Sequence, residues 1–433
     1  MLLLCALGGS AQIITTVAGN GGTVLGDVGP AVNASLEGPY GVAFDSHGNM
    51  YVTDGYNNRI RKINTSGIIT TVAGTGVQGY NGDSIPATTA QIYRPVGITL
   101  DASDNIYFCD GYNNRVRKID VAGIITTVAG NGDITYNGDN IPATAAAISN
   151  PHCVALGHDG SLYITDCSNH RVRKVNTSGI ITTIAGTGVS GYSGDNAPAT
   201  DAMINFPYGI ALDTAENIYF LDSYENVLRR IDGSGTIITV VGNGTTTPLG
   251  DNGPATAGSL NGPGGISIGL DNTIYITDAH HERIRQVKEG VITTIVGTGT
   301  LGFSGDNGPA TAAQIGLPGG IYVDKNTGDV FFTDFANDRV RRIGWPLGVA
   351  EQTKSPILLN IYPNPTNGVF TCDITGQPDE TFNISITDIA GRVVKTVELR
   401  SGLPTQVERV LPGLYIVSAV GRISSCSAMV LVR

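Results

Sequence analysis

The stretch Asn49-Met50-Tyr51-Val52-Thr53-Asp54 decides the fold, because it returns as Asn105-Ile106-Tyr107-Phe108-Cys109-Asp110 and in four further copies. The aspartates that close these copies, Asp54, Asp110, Asp166, Asp222, Asp278 and Asp334, stand 56 residues apart. A period this strict means one supersecondary unit stacked repeatedly. It says how the units pack and not what they bind.

The second unit supplies the strand plan. Val96 to Leu100 reads as a short strand after Pro95, Asn105 to Cys109 as a second, Arg115 to Ile119 as a third and Ile124 to Ala129 as a fourth, each bounded by Gly, Asn or Asp turns. Four antiparallel strands repeated radially describe a propeller blade. Third strands begin at Arg59, Arg115, Arg171, Val227, Arg283 and Arg339, and no fourth strand follows the last. Gln12 to Ala18 matches Gly123 to Ala129, so the N-terminal strand is expected to complete blade six and remove its open edge. The middle residues of the inner strands, Ala43, Thr99, Ala155, Ala211, Ser267 and Tyr322, are small in five of six cases, as crowding at an axis requires.

Composition agrees with this reading. The chain has 433 residues, 59 of them Gly, and only 15% are charged, which suits short strands with tight turns. Net charge is −11 and the Lys and Arg residues form no basic stripe, which argues against nucleic acid and anionic lipid as partners. Residues 1–11 are expected to be a signal-peptide remnant, with an apolar Leu2 to Leu7 before the small Gly9-Ser10-Ala11. No other segment approaches membrane-spanning length. Of six cysteines, Cys109, Cys153 and Cys167 take packing positions of the repeat, and Cys372 and Cys426 are candidates to pair in the tail.

The units resemble the NHL repeat family, through Pro39-Tyr40-Gly41-Val42-Ala43-Phe44-Asp45, Gly48 to Asp54 and Asn58-Arg59-Ile60-Arg61-Lys62-Ile63 and their equivalents. The resemblance implies an all-β six-bladed β-propeller over 12–346. Residues 347–356 read as a linker, and 357–433 carry about seven strand-like runs, expected to form a small Ig-like β-sandwich. This tail resembles the type A C-terminal sorting domain of the type IX secretion system of Bacteroidota, through Tyr362 to Gly368, Asp388 to Val394 and Leu411 to Val417. That implies partnership with the secretion machinery, passage across the outer membrane, and release or display at the surface.

Chain direction puts the starts of the inner strands, Tyr40, Val96, His152, Tyr208, Gly264 and Gly319, around one mouth of the central channel, the default ligand site. The same face carries Tyr56, Tyr112, His170, Tyr224, His280 and His281. We expect ligand-binding residues among Tyr40, His152, Tyr208, Tyr56, Tyr112, Tyr224 and His280, with Tyr40 and Tyr208 also able to plug the channel. The expected role is non-catalytic binding of a protein, peptide or glycan by a monomer. The rival is a metal-dependent lyase or hydrolase: Pro151-His152-Cys153 is similar to a zinc-ligand segment of peptidylglycine-amidating lyase, itself an NHL-type propeller. One histidine falls short of the roughly three protein ligands of a catalytic zinc, so no cofactor is expected. Asp83, Asp139, Asp195, Asp251 and Asp306 are candidate calcium ligands in the loops, although turn formation explains them better. The sixfold Asp54 and Arg61 sets are read as structural, because catalysis needs one constellation. Gly74 to Gly79 fits a dinucleotide fingerprint, but no βαβ unit surrounds it.

Overall fold

The computed structural model describes residues 12–344 and, in the C-terminal part, 358–362, 366, 369–375, 381–388, 392–400, 403–420 and 425–432. The expected signal remnant and the linker lie outside the described residues. Two compact units divide at Gly344 and Trp345.

Six sheets make the first unit, and each has five strands rather than the expected four. In blade one the order from the axis outward is Pro39–Phe44, Met50–Asp54, Arg59–Ile63, Ile68–Ala73 and then Gly29–Pro30. The fifth strand is only two residues long and comes from the loop that precedes the blade. Gly29 pairs with Ile69 and Pro30 with Ile68. Its Pro cannot donate to a further neighbour, so the outer edge ends there. A three-residue 3-10 turn follows five of these six strands, as in Ala87–Thr89; Gly253–Pro254 leads into an ordinary turn instead. Every third-to-fourth strand pair carries a one-residue irregularity, for example between Ile60 and Arg61, which adds local twist.

The ring closes as the repeat predicts. Ile13–Ala18 pairs with Arg339–Gly344, and Ile13 and Ile14 pair on the other side with Pro309 and Gly308. Thr333 Oγ1 donates to Tyr40 O at 2.8 Å and so joins blade six to blade one. Apolar cores lie between neighbouring blades: Tyr51 and Ile60 of blade one pack with Ile98 and Phe108 of blade two.

The sixfold aspartates and arginines turn out to be one device. Arg61, Arg117, Arg173, Arg229, Arg285 and Arg341 are fully buried. Arg61 Nη1 meets Asp54 Oδ2 at 3.1 Å and Nη2 meets Asp27 Oδ1 at 2.8 Å, and the other five blades repeat both contacts. Asp83 and its equivalents are therefore ion-pair partners that tie the incoming loop to its blade, not turn formers alone. Asp54 also accepts from Glu37 N and the Asn57 amide.

The C-terminal unit has seven strands among its described residues. Leu358–Tyr362, Phe370–Thr375 and Thr405–Val407 form one sheet; Val393–Arg400, Thr381–Asp388, Gly413–Val420 and Ser425–Val432 form the other. Phe370, Ile374 and Val407 of the first meet Phe382, Ile384 and Val417 of the second in one core, the expected β-sandwich. Cys372 is a buried free thiol; the side chain of Cys426 lies outside the described residues. Among the described residues no helix is long and apolar enough to cross a membrane.

Two outcomes follow. Deleting Ile13 to Ala18 removes the fourth strand of blade six, and the thermal transition should drop steeply or lose cooperativity; an unchanged melting temperature refutes the closure. Asp54→Ala leaves the Arg61 charge buried beside one partner instead of two. Denaturant titration should register a loss of about 3–5 kcal/mol, the usual consequence of breaking a buried pair.

Candidate functional site

Each inner strand starts at a proline, and the residue before it lies in the left-handed region. These residues are Gly38, Arg94, Asn150, Phe206, Gly262 and Leu317, with φ of 57°, 49°, 50°, 50°, 57° and 45°. A side chain of the preceding blade holds the N–H of each: Asn58 takes Arg94 N at 3.0 Å, Asn114 takes Asn150 N, His170 takes Phe206 N and Asp338 takes Gly38 N. Glycine serves at two positions without strain. Arg94, Phe206 and Leu317 cost about 1 kcal/mol each in this conformation and are held there by the ring of clamps. The face thus presents a cation and two apolar side chains at positions where glycine would be easier.

At the channel mouth the structure brings Tyr40, His152 and Tyr208 into one stack. The His152 ring lies parallel to Tyr208 at 3.9 Å between centres, and Tyr40 meets it edge-on at 4.6 Å. Tyr40 Oη donates across the axis to Gly264 O at 3.3 Å. These rings fill the mouth, and a cavity of about 270 Å³ remains beside them, bordered by Arg94, Tyr112 and Phe335. Burial, helped by the Arg94 charge, lowers the His152 imidazole from 6.5 to about 3, so the ring is neutral at pH 7. Burial likewise pushes the phenols of Tyr40 and Tyr208 up.

The donor set around His152 does not fit a metal. Aromatic rings occupy its surroundings, and among the described residues no three His, Cys, Asp or Glu side chains converge anywhere. Its Nδ1 is buried without a hydrogen-bond partner among the described residues.

From this stack an arc of rings runs outward across the face. Tyr224 contacts Tyr208 at 6.4 Å and Phe206 at 4.7 Å between ring centres. In the other direction Tyr40 contacts Phe335, which contacts Tyr56 at 5.9 Å. Arg94 lies over Tyr56 at 4.4 Å and over Tyr112 at 5.0 Å, and donates to both hydroxyls. Tyr56, Tyr112 and Tyr224 remain 47%, 47% and 60% exposed. Six of the seven expected residues therefore share one surface. His280 packs over Gly262 instead, and no ring contact among the described residues ties it to the arc. His281 is turned inward: Nδ1 lies 2.9 Å from Asp278 Oδ2 and Nε2 lies 2.7 Å from Thr246 O. The sequence reading missed Arg94, Phe206 and Phe335. A comparison of the units at the residue before the inner-strand proline would have singled out Arg94 and Phe206.

The opposite end of the channel is open. Phe44, Leu100, Leu156, Leu212, Ile268 and Tyr322 surround a cavity of about 420 Å³, with Asp213, Glu216 and Lys325 at its rim. The small inner-strand residues already noted in the sequence make this room.

Residues 149–175 match the family described as "NHL repeat", 20–81 and 75–137 match "Teneurin NHL domain", and 360–432 match "Secretion system C-terminal sorting domain". The first unit is an NHL-repeat β-propeller. The second is a type IX C-terminal sorting domain of the Bacteroidota kind, so the chain is a secreted protein of the cell surface or the extracellular space. Among curated relatives, Teneurin-1 of Gallus gallus is 30% identical over 244 residues, which is 49% of this chain and 9% of the teneurin. The chain thus spans less than a tenth of that relative's length. Among solved structures, a protein of unknown function from Bacteroides thetaiotaomicron is 18% identical, covering 78% of this chain and 76% of its own, with a TM-score of 0.57. An auxiliary nutrient binding protein from the same organism is 17% identical, covers 78% and 77%, and gives 0.57 as well. These structures share the fold.

Two histidines give opposite pH signatures. The hydrogen bond to Asp278 raises His281 above 6.5, so its stabilisation is complete below pH 6.5 and is lost as pH climbs through the raised value. The lowered His152 acts in reverse: its stabilisation is full above pH 6.5 and is lost as pH falls toward about 3. In urea titrations, His281→Asn should flatten the decline above pH 6.5. His152→Phe should flatten the decline between pH 6.5 and pH 4. A wild-type pH profile in either variant refutes the assignment for that residue.

Proposed function

We propose that the propeller is a non-catalytic binding module whose ligand, a peptide, a glycan or a segment of a partner protein, lies along the aromatic arc. One observation carries this reading: Tyr224, Tyr208, His152, Tyr40, Phe335, Tyr56 and Tyr112 form a chain of ring contacts on one face, interrupted only by the Arg94 guanidinium. Large exposed rings with few rotatable bonds offer contact area at low entropic cost, and Arg94 adds a positive charge held between Tyr56 and Tyr112 by their hydroxyls. Three residues held in a strained conformation on this rim favour a face kept for its side chains. The neutral imidazole of His152, stacked and desolvated, contributes a flat surface and not a proton carrier. The name of one fold neighbour, an auxiliary nutrient binding protein, is compatible with the reading. Secretion by the type IX route would bring such a face to ligands outside the cell.

The purified chain on peptide and glycan arrays should select a family of binders. Tyr112→Ala combined with Tyr224→Ala should weaken the best of them about tenfold or more, the scale of losing two aromatic contacts. Because both rings are exposed, the melting temperature should hold. Unchanged affinity in the double variant, or silence on both arrays, defeats the proposal.

A further inference from the structure

A cavity of about 400 Å³ opens at the rim of blade four, between the turn Ser223–Glu225, the loop Gly242 to Gly244 and the ring of Tyr192. The other blades identify what is missing from it. Where they open the third strand with Arg59, Arg115, Arg171, Arg283 or Arg339, blade four has Val227. In each of the five, Nη1 donates to the carbonyl two residues earlier and Nη2 donates to a carbonyl of the loop after the fourth strand. For Arg171 these are Asn169 O at 2.9 Å and Thr187 O at 2.8 Å; the other four repeat the pattern. In blades two, three and six the guanidinium also lies over a ring, Tyr80, Tyr136 or Phe303, at 4.0, 3.8 and 3.9 Å.

Blade four keeps the cradle and omits the occupant. The equivalent acceptors are Glu225 O and Asn243 O, and neither takes a hydrogen bond from a side chain among the described residues. Tyr192 holds the place of Tyr136, 45% exposed, with Arg229 over its ring at 4.7 Å as Arg173 is over Tyr136 at 4.9 Å. The glycines beside the cradle measure the vacancy. A Cβ at Gly76, Gly132, Gly188 or Gly299 would collide with the guanidinium, whereas at Gly244 the nearest atom is Glu225 O, 3.8 Å away. Charge has shifted as well. Four blades carry Asn where blade four carries Glu225, and Asp195 lines the same cavity. Blade four has thus lost a cation and gained an anion.

We propose that this cavity binds a guanidinium group supplied from outside the chain, the side chain of an arginine in a peptide or partner polypeptide. Two carbonyls set for the two Nη atoms and one open ring face suit a planar fork better than the compact ammonium of lysine. Asp195 is already paired with Arg229, so the carboxylate of Glu225, whose Oε1 also accepts from the Asn205 amide, is the group that complements its charge. The α-carboxylate of free arginine would be repelled by it, which favours a peptide-borne source. The site is separate from the aromatic arc and stands or falls without it.

The test is NMR titration of the whole chain with N-acetylarginine amide, free arginine, N-acetyllysine amide and N-acetylcitrulline amide. Capped arginine should bind at millimolar strength and lysine about tenfold more weakly, with citrulline not binding. Free arginine binding as well as the capped form would keep the site and make a small molecule its ligand. Val227→Arg should fill the cradle, abolish binding and raise the melting temperature. Should that variant misfold, Glu225→Asn, which restores the residue of four other blades, should weaken capped arginine at least about threefold. Tyr112→Ala, a change on the arc outside blade four, should leave this titration unaltered. Citrulline binding as tightly as arginine, no response to capped arginine, or full affinity in both pocket variants overturns the proposal.

Discussion

A guanidinium buried between two carboxylates organises every blade. Arg61 joins the end of the second strand through Asp54 to the incoming outer loop through Asp27, and five copies do the same. Isolated, such a charge would be intolerable in the interior; paired twice and hydrogen-bonded to the Ser35 carbonyl, it becomes a fixed post. Lysine has no planar fork and could not bridge both partners with comparable geometry. The outer two-residue strand is too short to hold itself, and this ion pair is what pins it. The repeated Asp and Arg side chains are consumed by that role and have nothing left for chemistry.

Much of this architecture is legible in the sequence, because a 56-residue period can be counted and the unmatched strand at Ile13–Ala18 can be matched to the gap after Arg339. The fifth strands were not legible. Ile85–Pro86 and its counterparts are two residues long, and two residues carry no periodicity. The loop aspartates read as turn formers because their partner lies about 34 residues on, a distance at which local chemistry gives no signal.

For the face, residue identity was readable and arrangement was not. Tyr40, Tyr208 and His152 stand in equivalent places of different blades, so sequence can gather them at one mouth. Whether they enclose a pocket or fill it depends on ring orientation, and the parallel stack of His152 on Tyr208 settles that locally. His280 and His281 show the same limit: adjacent in sequence, one lies on Gly262 and the other is drawn down to Asp278. Val227 was visible as a departure, but its meaning emerged only when five filled cradles could be set beside the empty one.

The closure of the ring also has a meaning in time. Thr16 and Asp306 are hydrogen-bonded across 290 residues of chain, and the strand Ile13–Ala18 has no strand partner until Gly308 and Pro309, and then Arg339–Gly344, exist. Until then an apolar, β-branched strand waits with both edges bare, and the five complete blades form an open arc. Contacts of such sequence separation are slow to make and expose sticky surface meanwhile. The last link to form is therefore the one that turns a string of blades into a single cooperative body.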